Sequence, residues 1–301
     1  MRKPEQVTIL EVGPRDGFQN VQVQIPTQDK IRVVNELVDA GLKRIETSSF
    51  VHPKWIPQLK DAEEVFAGVR KPAGVVFSAL VPNERGLDRA IATGVKEVCY
   101  VVAASETVSK MVFNKGVDEA LLLVPALGKT CSAAGVSFRV TIACAFGCAM
   151  EGPIAYDRIL SIGHKLREAD ASLITLADSM GISGPSDVAQ RVGRFLGDMG
   201  DFPVSVHFHD RLGIGMVNAF AAVSAGVRIV ESSIAGLGGD PLTPGAVGNL
   251  ATEELAYLLK MMGYETGVDI EKLQASAVAL RARLAELERD NPPEAARTPA
   301  R

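Results

Sequence analysis

The sequence predicts an α/β protein built as a parallel (β/α)8 barrel, the TIM-barrel fold, with an additional C-terminal helical segment. Apolar runs rich in β-branched residues recur about eight times, each followed by helical periodicity and a Gly or polar break. The length of 301 residues suits one barrel of this kind. Polar residues also collect where the predicted strands end, which is where such barrels carry their chemistry.

The individual elements follow from this alternation. Strands are expected near 6–12, 43–48, 74–80, 96–103, 137–143, 171–177, 203–208 and 228–234. Helices are expected between them, for example at 28–40, 83–93, 156–169, 186–198 and 249–262. Gly41 and Gly94 follow two of these helices at the position of a C-terminal cap. An open doubly wound sheet is the main alternative, but the first strand leads into EVGPRDG, which lacks the dinucleotide-binding glycine spacing.

The C-terminal part of the chain continues past the eighth repeat. Residues 268–288 have the pattern of an extra helical segment, and residues 289–301 are polar and rich in proline. Such a composition predicts a mobile tail. Residues 1–288 are therefore expected to form a single barrel domain that includes the helical extension.

Composition excludes several classes of partner. A net charge of -4 gives no general attraction to nucleic acid or to anionic lipid. No apolar stretch approaches the roughly 20 residues needed to cross a bilayer. The four cysteines occur without a signal peptide, which predicts reduced thiols and a cytoplasmic location.

The most informative short motif is HFHD at 207–210, directly after an apolar run that predicts a buried strand. Residues two apart on a strand share a face, so His207 and His209 point the same way at its carboxyl end. A lone histidine is more often hydrogen-bonded in a core. A spaced pair at a strand end favours metal binding, because neutral imidazole is the commonest metal ligand.

Other charged and polar groups are expected at the same rim of the barrel. Asp16, the two imidazoles and the Asn249 carbonyl make a mixed oxygen and nitrogen set that suits Mg²⁺ or Mn²⁺, with Zn²⁺ less expected. Glu46 and Asp210 are candidate acceptors that orient the ligands, and Asp210 could equally cap a helix. The remaining rim candidates are Arg15, Gln19, Asp178 and the glycine run 236–239.

Two alternatives apply to these rim residues. A structural ring of salt bridges could account for Arg15, Asp16 and Glu46, but it does not explain the two imidazoles. The glycine run could be a mobile lid, a phosphate cradle or a simple turn.

Taken together, these motifs resemble the 3-hydroxy-3-methylglutaryl-CoA lyase family over residues 6–275. The specific segments are EVGPRDGFQN at 11–20, ETSSFVHPKW at 46–55, HFHD at 207–210, GLGG at 236–239 and GNLATE at 248–253. The resemblance implies a divalent cation, Mg²⁺ or Mn²⁺, held by Asp16, His207, His209 and Asn249.

The resemblance also implies the reaction and its catalytic residues. A tertiary 3-hydroxyacyl-CoA is split by retro-Claisen cleavage into acetyl-CoA and acetoacetate. His207 or Asp16 takes the hydroxyl proton, Arg15 stabilises the thioester enolate, and Glu46 pairs with the arginine. Lys110 and Asn114 fall in a segment where the family contacts its ligand, although they could equally form a solvated helix face.

One position departs from the family pattern. Where the family has a cysteine that handles the proton for the enolate, this chain has Asp240. An aspartate is ionised at neutral pH unless burial or another carboxylate raises its pKa. Asp240 is therefore a poor acid by default: either a closed lid keeps it protonated, or a histidine or bound water supplies the proton, or the chain cleaves a different substrate. Asp240 is kept as a candidate catalytic residue, and the exact acyl group cleaved stays open.

Three alternatives follow from these motifs. The leading one is the lyase, with an acyl-CoA substrate and a homodimer as the expected oligomeric state. A second is a sister activity on the same metal site, namely a 4-hydroxy-2-oxo acid aldolase or an enzyme condensing acetyl-CoA with a 2-oxo acid. A third is an inactive barrel that acts as a binding protein.

Overall fold

The barrel predicted from the sequence is confirmed. A computed structural model describes residues 4–211, 213–239 and 248–291. Its strands pair in parallel in chain order, and β1 pairs with β8 so that the sheet closes. The strands are β1 Thr8–Glu11, β2 Arg44–Ser49, β3 Val76–Leu80, β4 Glu97–Ala103, β5 Ser137–Ala143, β6 Leu173–Asp178, β7 Val204–Phe208 and β8 Ile229–Ser232.

Helices surround the barrel and cover it with their apolar faces. They are α1 Thr27–Asp39, α2 Ala62–Gly68, α3 Glu84–Ala92, α4 Glu106–Phe113, α5 Val117–Leu122, α6 Val124–Ala134, α7 Tyr156–Glu168, α8 Pro185–Met199, α9 Gly215–Ser224, α10 Thr252–Met261 and α11 Ile270–Asp290. Gly41 and Gly94 have φ of 94° and 76°, the left-handed backbone expected of glycine after a helix.

One predicted helix starts later than expected. The pattern predicted a helix from residue 249, whereas α10 begins at Thr252. Asn249 and Ala251 instead form isolated β-bridges with His209 and Ser233. This extended stretch keeps Asn249 beside the end of β7.

The C-terminal extension forms the helix α11, which packs on α1, on α10 and on the short turn at 234–236. Its buried residues include Leu273, Ala277, Leu280, Leu284 and Leu287. The helix also includes Arg289 and Asp290, which the sequence assigned to the tail, because burial of Leu287 anchors its last turn. Residues 292–301 of the predicted tail lie outside the described residues. Among the helices of the described segments, none is both long and apolar enough to cross a membrane.

Candidate active site

The first strand delivers two buried charged side chains to the rim of the barrel. Immediately after β1 the backbone makes one turn of π-helix, Gly13–Gly17, which carries Arg15 and Asp16. Arg15 Nη1 donates to Asp16 Oδ1 at 2.6 Å, and its Nε donates to Glu46 on β2. Gln19 Nε2 also donates to Asp16 Oδ1, at 2.9 Å. The predicted group of Arg15, Asp16, Gln19 and Glu46 therefore lies together.

The two histidines meet as the strand geometry predicts. His207 is the penultimate residue of β7 and His209 lies just beyond its end, and both are buried. Their Nε2 atoms lie 3.2 Å apart. Two ligand nitrogens at right angles around one ion, each about 2.1 Å from it, would lie about 3 Å apart. The separation therefore fits two ligands of a single cation.

Asp16 completes a three-ligand cluster with the histidines. One ligand atom from each of Asp16, His207 and His209 lies within 4.8 Å of the others. A carboxylate oxygen and two imidazole nitrogens are the donor types expected for Mg²⁺, Mn²⁺ or Zn²⁺. These residues therefore fit a divalent cation.

Asn249 places an unsatisfied buried oxygen beside this cluster. Its Nδ2 donates to Asp16 Oδ2 at 2.7 Å and to Leu237 O at 3.1 Å. Its Oδ1 is buried and has no hydrogen-bond partner among the described residues. A buried acceptor without a partner is costly, and coordination of a cation would satisfy it.

Electrostatics keeps Asp16 in its ligating, ionised form and makes His207 bind a proton more readily. Burial favours neutral Asp16, but Arg15 and the two imidazoles outweigh burial and hold the pKa of its carboxyl below the usual range. Burial opposes charging of His207, yet its hydrogen bond to Glu231 and the nearby Asp16 raise its pKa. Asp16 is thus a carboxylate at neutral pH, and His207 is a comparatively strong base.

The sequence interpretation missed Glu231. Strand register pairs Glu231 on β8 with His207 on β7. His207 Nδ1 and Glu231 Oε2 lie 3.1 Å apart, so the ring directs Nε2 toward the cluster. Burial would raise the pKa of Glu231, but Arg139 and His207 lower it to about 2. A carboxylate behind a ligating histidine fixes the ring orientation and increases its basicity.

Arg139 was missed as well. It links Glu231, the partner of His207, to Glu46, the partner of Arg15. This fully buried guanidinium on β5 donates to Glu231 Oε1 at 2.6 Å and to Glu46. It also lies 3.4 Å from Glu97 on β4. A charged residue inside a mostly apolar strand was the available signal, because such a residue needs buried partners.

Two of the predicted carboxylates have local partners. Asp178 is buried and accepts hydrogen bonds from Ile182 N, Ser183 N and Ser183 Oγ in the loop that follows β6. Asp210 Oδ1 accepts from Gly215 N, the first residue of α9, at 2.7 Å. Asp210 therefore contacts the start of α9, although the N-cap residue of that helix is Ile214 and not Asp210.

The remaining predicted residues lie apart or outside the description. Lys110 is exposed on α4, 4.0 Å from Glu106. Asn114 ends that helix with a left-handed φ of 53°. Among the described segments, no hydrogen bond or ion pair joins either residue to the Asp16 cluster. Asp240 lies within the undescribed stretch 240–247.

The glycine run 236–239 lies close to the cluster of Asp16, His207 and His209. A Cβ at Gly238, where φ is +128°, would lie 2.3 Å from Asn249 Nδ2 and 3.4 Å from Asp16 Oδ2. Asn20 Nδ2 donates to Gly239 O. Glycine is therefore required at 238 both by its backbone and by its contact with the site.

Comparison with known proteins gives a consistent result. The family described as HMGL-like matches residues 6–279. The mitochondrial hydroxymethylglutaryl-CoA lyase of Bos taurus is 41% identical over 270 residues, which cover 90% of this chain and 83% of that protein.

Comparison with solved structures also finds HMG-CoA lyases. The HMG-CoA lyase of Bacillus subtilis superposes with a TM-score of 0.91 at 38% identity, covering 95% of this chain and 96% of that one. The HMG-CoA lyase of Acinetobacter baumannii, solved in complex with coenzyme A and 3-methylmalate, gives a TM-score of 0.89 at 31% identity and covers 98% of each chain.

Proposed function

Because the chain belongs to the HMGL-like family, we propose that it is a divalent-metal-dependent carbon–carbon lyase that cleaves 3-hydroxy-3-methylglutaryl-CoA to acetyl-CoA and acetoacetate. The observation that carries the proposal is the convergence of Asp16, His207 and His209 within 4.8 Å, beside the unsatisfied Asn249 Oδ1. A relative with coenzyme A bound supports an acyl-CoA substrate.

The proposed cation is Mg²⁺ or Mn²⁺, held by Asp16, His207, His209 and Asn249. Two of these four donors are oxygens, which hard cations prefer, and the set contains no thiolate, which makes Zn²⁺ the less suited ion. When bound, the cation supplies Lewis-acid polarisation of substrate oxygens.

Proton removal from the substrate hydroxyl is proposed to involve Asp16 or His207. The lowered pKa of Asp16 keeps it ionised at neutral pH, but makes it a weak base. The raised pKa of His207 makes its metal-free imidazole the stronger base. With Nδ1 held by Glu231 and Nε2 on the cation that ring has no free nitrogen, so His207 can take the proton only while its Nε2 is off the cation. Loss of the proton allows the bond between C2 and C3 to break, and C3 becomes the ketone of acetoacetate.

Arg15 is proposed to stabilise the charge that this cleavage leaves on the thioester enolate. Its guanidinium is already fixed by Glu46 and Asp16, so little reorganisation is needed as the charge develops. A lysine could not reproduce this forked geometry. Asp240, a solvent water or a histidine is then proposed to protonate the enolate carbon.

Substrate contacts are proposed at Arg15, Gln19, Asp178, Lys110 and Asn114. Gln19 is the best placed of these after Arg15, since its amide donates to Asp16 and lies at the edge of the cluster. A homodimer, a cytoplasmic location and a single domain over residues 1–288 complete the proposal. Burial of all four cysteines is compatible with a reducing compartment.

The decisive experiment is a coupled acetyl-CoA assay on HMG-CoA and a small panel of branched 3-hydroxyacyl-CoA thioesters. Acetyl-CoA release should require Mg²⁺ or Mn²⁺ and stop with EDTA. Asp16→Ala and His207→Ala should abolish it, whereas Asp187→Ala, a change at a carboxylate on the start of α8, should leave it intact. No release from HMG-CoA by the metal-loaded protein would refute the substrate assignment.

The same assay separates the alternatives. Pyruvate release from a 4-hydroxy-2-oxo acid, or acetyl-CoA consumption with a 2-oxo acid, would indicate a sister activity. Absence of turnover on every substrate would favour the binding-protein hypothesis. Asp240→Cys should accelerate HMG-CoA cleavage if proton delivery from position 240 limits the rate, and should leave it unchanged if another group delivers the proton.

A further inference from the structure

The turn that follows β8 contains a strained residue outside the proposed catalytic set. Ala235 has φ 61° and ψ 12°, a left-handed conformation that residues other than glycine rarely adopt. Strain of this kind persists only where surrounding contacts impose it.

Backbone bonds span the turn, from Gly236 N to Ser233 O at 2.9 Å and from Leu237 N to Ile234 O at 3.3 Å, and the side chains of one ion pair hold both sides of Ala235. Its N–H donates to Glu253 Oε2 at 3.1 Å, and its carbonyl accepts from Arg281 Nη2, also at 3.1 Å. The same Arg281 nitrogen donates to Glu253 Oε1 at 3.0 Å. Glu253 is buried on α10, and Arg281 is half-exposed on α11.

The turn held in this way runs directly onto the metal-ligand cluster. Two residues after Ala235, the Leu237 carbonyl accepts from Asn249 Nδ2 at 3.1 Å. A Cβ on the next residue, Gly238, would lie 2.3 Å from the same amide nitrogen, so the backbone there passes close to it. The direction of the backbone at Ala235 therefore influences how Asn249 presents its Oδ1, together with the contacts of Asn249 to Asp16 and His209.

We propose that Arg281 is a positioning residue that, with Glu253, holds Ala235 in the left-handed conformation and thereby orients Asn249 for metal binding. The inference rests on the metal site proposed above. It gives the C-terminal helix α11 a role in the site, although α11 supplies no proposed ligand itself. Arg281 acts through the backbone turn and touches none of the four ligands among the described contacts.

The test is a Mn²⁺ titration without substrate, read from the electron paramagnetic resonance signal of free Mn²⁺. Arg281→Ala should weaken Mn²⁺ binding about tenfold, the lower end of the loss seen when outer-shell partners are removed. Arg283→Ala is the matched control, because it removes a different ion pair of α11, with Asp29 at 2.9 Å. The control should bind Mn²⁺ as the wild type does.

Rescue distinguishes positioning from simple loss of stability. Glycine adopts a positive φ without strain, so with Ala235→Gly the turn should no longer need the ion pair between Arg281 and Glu253. The double variant Ala235→Gly with Arg281→Ala should bind Mn²⁺ within about threefold of Ala235→Gly alone. Unchanged binding in Arg281→Ala, or a double variant as weak as Arg281→Ala, would overturn the proposal. Because no substrate is used, failure of the HMG-CoA assay would leave this result interpretable.

Discussion

At the scale of single residues, the contact between His207 and Glu231 is central to the site. It assigns Nδ1 of His207 to the carboxylate and leaves Nε2 for the cluster. Both partners are buried, so little water competes for the bond. The orientation of the ring thus depends on a side chain from the neighbouring strand.

Replacing this carboxylate should weaken metal binding specifically. Glu231→Gln removes the charge that makes His207 basic, and we expect Mn²⁺ affinity to fall about 10- to 100-fold in a direct titration. Glu97→Gln is the matched control, since it also removes a buried charge paired with Arg139 but contacts no imidazole among the described residues. Equal losses in both variants would show that only the interior charge balance matters.

A second buried carboxylate, Glu11, links stability to pH. Its Oε1 accepts from Gly13 N at 2.7 Å and Ile234 N at 2.8 Å, and its Oε2 accepts from Thr252 Oγ1 at 2.6 Å. Burial outweighs these bonds and raises its pKa from 4.5 to about 7. The Glu11 carboxyl therefore ionises at a higher pH in the folded protein than in the unfolded chain.

The sign of the resulting pH effect is determined by the raised pKa. Below pH 4.5 the carboxyl is protonated in both states, and the stability contributed by the protonated Glu11 is fully present. This stability is lost as pH rises through about 7. We expect Glu11→Gln to gain about 3 kcal/mol relative to wild type between pH 4.5 and 8, at about 1.4 kcal/mol per pKa unit. Urea unfolding of both proteins across this range measures the difference, and parallel stability profiles would contradict it.

At the scale of secondary structure, the sequence predicted the repeating unit but not the contacts between distant strands. Each strand was visible because its apolar run is local, and His207 and His209 were visible because a strand alternates its faces. Arg139 reaches β2, β4 and β8, strands that lie far from it in sequence. Only the strand register of the closed barrel shows which side chains these are. From the sequence, Glu231 and Arg139 could be suspected as charged residues within strands, but they could not be paired with each other.

Two helix glycines that look alike in sequence should behave oppositely. A Cβ at Gly128 on α6 would lie 2.0 Å from Ala169 O, whereas Gly193 on α8 has nothing within 4 Å of that position. Gly193→Ala should raise the free energy of unfolding by about 0.5 to 1 kcal/mol through helix propensity. Gly128→Ala should lower it by about 1 to 3 kcal/mol through the clash. Urea unfolding compares them, and equal stability of the two variants would contradict the packing argument.

At the scale of the whole molecule, closure of the barrel assembles the site. Asp16 and Asn249 lie 233 positions apart in sequence, yet their side chains are hydrogen-bonded. The β1–β8 pairing and the bridge between His209 and Asn249 bring these ends together. The location of the site at the rim was predictable from the fold. The exact position of Asn249 was not, because it depends on the β-bridge to His209, where the sequence pattern predicted a helix.

Such an arrangement should make metal binding stabilise the entire fold. The proposed ligands converge only in the folded chain, so Mn²⁺ at 100 times its dissociation constant should raise the free energy of unfolding by about 2.7 kcal/mol. Thermal and urea unfolding with Mn²⁺ and with EDTA measure this. Asp16→Asn should remove the increase because it removes a charged ligand, whereas Asp187→Asn on α8 should retain it. An equal increase in both variants would place the cation elsewhere on the protein and remove the physical basis of the proposed cleavage.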